Sequence, residues 1–159
     1  MNKFMCRRYL LFCVSLFVNA LGIAFITKAA LGTSPITSVT YVLSMFTPFT
    51  IGQWTILLNL LFVILELFLM TREDLKSDLR MYLLQIPISF SFGMFIDLCM
   101  HYILFWLNPV EYVYMIVALL IGCVILAVGI ALEVKANAAM MAGEYFVKVI
   151  TRRFRGEFG

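Results

Sequence analysis

The chain alternates between long apolar stretches and short polar clusters, and the lengths of the stretches decide what they can be. Four of them, Tyr9 to Thr27, Gln53 to Met70, Met81 to Ile103 and Tyr112 to Val134, carry almost no charge. A helix needs about 20 residues, at roughly 1.5 Å each, to cross about 30 Å of hydrocarbon. Each stretch is predicted to be a transmembrane helix, because an open strand in lipid would leave its backbone donors and acceptors unpaired. Between the first two lies Leu31-Gly32-Thr33-Ser34-Pro35, then Ile36 to Phe46, then Thr47-Pro48. Ser34 can cap a helix with Pro35 in its first turn and Pro48 closing it, but about 13 residues cover only about 20 Å. This piece is predicted to be a short helix that enters the membrane and returns; the alternative is a tilted full crossing.

Composition agrees with the pattern. The 159 residues are 64% hydrophobic and 13% charged, with a mean hydropathy of +1.01, whereas a soluble domain carries about a quarter charged residues. The net charge of +3 sits in terminal clusters, with no basic face among exposed aromatics, which excludes a nucleic-acid partner. With the N-terminus inside and the short helix re-entrant, Lys3, Arg7, Arg8, Arg72, Lys76, Arg80, Lys135, Arg152, Arg153 and Arg155 fall on the cytoplasmic side and Lys28 outside. A cell-membrane protein with a cytoplasmic N-terminus is the expected arrangement. The basic start and the apolar run from Tyr9 to Ile26 also fit a secretory signal, but the run is long for an excised peptide, and a retained first span is expected. Cys6, Cys13, Cys99 and Cys123 form no C-x-x-C and have only His101 for company, so they are expected to be apolar fillers and no metal or other cofactor is signalled.

The most specific feature is a self-match at an offset of 107 residues. Ala20, Gly22-Ile23-Ala24 and Lys28-Ala29 recur as Ala127, Gly129-Ile130-Ala131 and Lys135-Ala136. Each copy ends a span and leads into a short helix-prone piece, Pro35 to Phe46 in the first and Met140 to Thr151 in the second. The fold class expected is therefore an all-α polytopic helix bundle, one integral membrane domain over residues 1–159. It holds two repeats, the first about 9–104 and the second starting at about 112–159. Under the re-entrant reading three full spans separate equivalent points, so the second unit is inverted. Two units of 107 need about 214 residues, so the second repeat is expected to be incomplete here, its remainder lying in a longer chain or supplied by another molecule.

The run Gly22-Ile-Ala-Phe-Ile-Thr-Lys-Ala-Ala-Leu-Gly-Thr-Ser-Pro35, the segment Gly93-Met-Phe-Ile-Asp97, and Ile130-Ala-Leu-Glu-Val-Lys-Ala-Asn-Ala-Ala139 resemble the YczE/YitT-like group of small bacterial multi-pass membrane proteins. That group's Gly, Lys-Ala pair and Gly-x-x-Pro turn correspond to Gly22, Lys28-Ala29 and Gly32 to Pro35; the second copy departs from it, with Ala142 where proline would stand. The resemblance implies five or six membrane helices and somewhat over two hundred residues, and implies no chemistry.

An ionisable group within the bilayer costs at least a few kcal/mol at the centre and is a functional candidate by default. Asp97 leads, on a stripe of Gln85, Ser89, Gly93, Asp97 and His101 at steps of four. It faces either a wet cavity or a partner that makes it a structural anchor. Glu66 shares a face with Asn59, with snorkelling to the surface as the alternative role. Lys28 and Lys135 end their spans as anchors, or Lys28 joins the free amides at Ser34 in an anion-attracting corner. Thr33, Thr37, Thr40 and Ser44 could line a solute path or bond to their own helix, and Ser15, Asn19 and Gly22 share a face of the first span. Ala20 with Ala24 and Ala127 with Ala131 mark where the repeats touch. An intramembrane serine protease built on Ser34 and His101 is disfavoured, since Pro35 has no amide to offer an oxyanion. Gly22, Lys28, Pro35, Gly129 and Lys135 carry the repeat. The expected function is a transporter or permease for a small polar solute or ion, with Asp97 as the charge-bearing residue. The rival is a non-transporting subunit that assembles with another protein, as homo- or hetero-oligomer.

Overall fold

The computed structural model describes residues 3–70, 72–136 and 139–153, and among them all regular secondary structure is helical. Asn137, Ala138 and Arg155 lie outside the described residues, as do the side chains of Lys3, Cys6, Arg72, Lys76, Arg80, Arg152 and Arg153. Helix α1 is Lys3–Lys28, α2 Pro35–Phe46, α3 Ile51–Leu69, α4 Arg72–Leu98, α5 Tyr112–Ala136 and α6 Ala142–Arg153, with a π-helical turn at Cys99–Ile103 closing α4. The four long helices contain apolar stretches of membrane length, Arg7–Lys28, Ile51–Leu69, Met81–Ile103 and Tyr112–Ala136.

Local chemistry sets the boundaries. Ser34 caps α2, its Oγ accepting the Thr37 amide at 3.3 Å, with Pro35 at the first helical position. Thr50 and Gln53 form a reciprocal capping box on α3. Helix α4 begins earlier than the apolar run, and the segment Arg72 to Arg80, expected as a charged connection, is its first turns. Glu, Asp, Lys, Arg and Leu are adequate helix formers, so the helix carries on past its apolar part rather than stopping there.

Small residues set the packing. Along the α1–α5 contact, a Cβ on Gly122 would meet Phe25 and Ile26, one on Gly22 would lie 2.8 Å from the Leu126 amide, and one on Gly129 would collide with Asn19. Rising numbers on α1 meet falling numbers on α5, so the two helices run antiparallel, and Arg8 Nε donates to the Ala136 carbonyl at 3.0 Å near the end of the pair. Helices α3 and α4 also run antiparallel, backbone to backbone at Gly52 and Gly93, where a Cβ on Gly93 would stand 2.6 Å from the Gly52 carbonyl. Helix α4 rests on α1 through the edge-on pair Phe17 and Phe95. Both short helices pack on α3. Outward faces are studded with exposed Leu, Val, Ile and Phe, as lipid-facing surfaces require.

Candidate functional site

A cavity of about 290 Å³ lies where all six helices converge. Asn19 and Ile23 of α1 form one wall, Thr55 and Asn59 of α3 another, Phe92 and Ile96 of α4 a third, and Leu126, Ile130 and Glu133 of α5 the fourth. The beginnings of both short helices complete it: Ser34, Ile36, Thr37 and Thr40 from α2, and Met141, Gly143 and Glu144 from α6. The two beginnings meet directly, since a Cβ on Gly143 would stand 3.4 Å from Ile36 and 3.9 Å from Phe62. Phe62 in turn stacks on Phe146 with ring centroids 5.2 Å apart, fixing α6 against α3.

The walls are mainly apolar, with polar atoms at a few points, the usual make-up of a small-molecule site. Glu133 is only 5% exposed and Asn19 3%. The Asn19 amide donates to Glu133 Oε2 at 2.7 Å, while Glu133 Oε1 and Asn19 Oδ1 have no hydrogen-bond partner. The threonine hydroxyls spend their protons on their own helices: Thr40 donates to the Thr37 carbonyl at 2.9 Å and Thr55 to the Ile51 carbonyl at 2.8 Å. Among the described residues no Lys, Arg or His lines the cavity.

Of the residues singled out from sequence, Asn19, Ser34, Thr37 and Asn59 are brought together here. Asp97 is not. Its carboxylate accepts from the Thr50 hydroxyl at 2.6 Å and from the Gly52 amide at 2.9 Å. It thereby serves as an added cap on the positive end of α3. His101 is exposed on the π-turn with Nδ1 3.1 Å from the Asp97 carbonyl. Ser89 is buried and bonds back to the Gln85 carbonyl at 2.7 Å. Glu66 is fully buried between α3 and α4 rather than snorkelling; Gln85 faces it, yet neither oxygen of Glu66 and neither polar atom of the Gln85 amide completes a hydrogen bond. Lys28 and Lys135 are not among the residues that line the cavity. Among the described residues no cluster of His, Cys, Asp and Glu could hold a metal ion.

Glu133 and Glu144 escaped sequence reasoning. Glu133, two residues before Lys135, looks like part of a charged helix end. The available signal was phase: Ala118, Gly122, Gly129, Glu133 and Ala136 form one buried seam, and an acid in register with helix-contact glycines must face the bundle interior. No curated protein and no solved structure matches the chain. Residues 6–159 match the model of DUF6198, described as a family of unknown function, and the chain belongs to that family.

Proposed function

We propose that the protein is a membrane permease for a small polar solute, with the central cavity as its solute site between two inverted helix units. The observation that carries this reading is the meeting of the two short helices, beginning to beginning, in one cavity. Asn59 and Phe92 of its lining come from near the middle of the long helices Ile51–Leu69 and Met81–Ile103, while Glu133 lies in the last turn of α5. Half-helices whose first turns face a midplane site are a recurring device of secondary transporters.

Helix direction supports the inversion. Helices α1 and α5 carry the two copies of the repeated motif, and they run antiparallel. The contact between Gly22 and Leu126 has an equivalent at the offset of 107 in the contact between Gly129 and Asn19, as a two-fold axis in the membrane plane requires. Counting crossings favours a re-entrant α2. If α2 crossed, α5 would be the fifth span and run parallel to α1; with α2 returning to the face it left, α5 is the fourth and runs opposite. The basic clusters then put the N-terminus in the cytoplasm. The motif runs also support kinship with the YczE/YitT-like group.

Uptake into proteoliposomes of a labelled panel of amines, amino acids, sugars and carboxylates tests the function. At least one member should enter faster than into protein-free vesicles, and Thr40→Trp, which fills the cavity, should abolish that entry. Failure of every member to enter above the vesicle background rejects the permease.

A further inference from the structure

The cavity's charges are unbalanced in one sense, and that imbalance selects a ligand. Glu133 and Glu144 line it, and among the described residues no Lys, Arg or His does. Glu133 is more than nine-tenths buried, and its Oε1 has no hydrogen-bond partner. A buried carboxylate without a cation is costly, so a ligand that brings positive charge and N–H groups relieves it. The helix beginnings do not offset this preference for positive charge. At the start of α2 the Ser34 oxygen takes up the Thr37 amide, and Glu144 occupies the first turn of α6. Each helix start thus carries an acceptor or an acid of its own.

We propose that the cavity binds a small organic cation, an ammonium group with a compact apolar body, whose charged head sits on Glu133. The proposal deepens the permease reading and rests on its choice of solute site. The body is required by the walls. Ile23, Phe92, Ile96, Leu126 and Ile130 offer no oxygen, and a bare metal ion wants a shell of some six oxygens at 2–3 Å, not a space of about 290 Å³ walled largely by hydrocarbon.

Thermal unfolding of the purified full chain in detergent, with a matched series of probes, tests the assignment. n-Butylamine and diethylamine should raise the midpoint by about 4 °C at ten times their dissociation constants, while n-butanol, butyrate and sodium chloride should not. Glu133→Gln keeps the side-chain shape and should lose the amine response. Should that variant fail to fold, the wild-type series stands alone: an equal shift from butyrate or n-butanol, a shift from sodium alone, or no shift from either amine overturns the proposal. Amine binding without flux in vesicles leaves the ligand class standing and removes the permease. Flux of sugars or carboxylates with no amine response does the reverse.

Discussion

Asp97 illustrates how a residue's partners decide its role. A carboxylate near a span's end looks like a pathway residue, but the loop before α3 delivers a hydroxyl and an amide to its two oxygens. Asp97→Ala should therefore lower stability by about 2 kcal/mol, the cost of losing a cap with charge-assisted bonds, and leave amine binding intact. Thermal unfolding with and without n-butylamine measures both; lost binding at unchanged stability would return Asp97 to the solute path. Ionisable residues were easy to enumerate from the sequence, whereas their pairing was not, because the Asp97 partners are some 45 positions away. Glu133 was hidden for the opposite reason. Its neighbour Lys135 made it look like a surface charge, and only the glycine seam set it facing Asn19.

At the scale of elements, legibility followed local cause. The caps of α2 and the lengths of the four spans depend on residues within a turn or two, and Ser34-Pro35 with Phe46-Thr47-Pro48 predicted that helix almost to the residue. The early start of α4 was less legible, because apolarity marks where lipid begins and not where helical hydrogen bonding must. Helix pairing rests on glycines. Gly93→Ala would press a methyl group against the Gly52 carbonyl and Ile56, which neither backbone can yield without separating α3 from α4. The expected loss is about 1–3 kcal/mol, seen as a lower unfolding midpoint. The same change at Gly32, where a Cβ would meet nothing within 4 Å, would act only through its φ of +144°.

For the whole molecule, the decisive property is the direction of each crossing. Single cysteines at Lys28, Ser77 and Lys135, in a background whose native cysteines are replaced by alanine, report it in intact cells. An impermeant maleimide should label Lys28→Cys from outside, and Ser77→Cys and Lys135→Cys only after permeabilisation. External labelling of Ser77→Cys would mean that α2 crosses, and would remove the inversion. The repeated motif is visible in the sequence because identical residues recur. The cavity is not, because it is assembled from six helices of which no two contribute a continuous run.

The contact between α1 and α5 has one more consequence. Displaced by 107 positions, Asn19 becomes Leu126 and Glu133 becomes Ile26. The hydrogen-bonded couple therefore has a hydrocarbon twin. On the proposed inverted-repeat arrangement, duplication alone would produce two identical junctions related by rotation, both greasy or both ionic, whereas the sequence carries one of each. Whatever selectivity the molecule possesses then resides in its departure from its own architecture, and a chimera with Leu at 19 and Ile at 133 would be the more regular bundle and the chemically blind one.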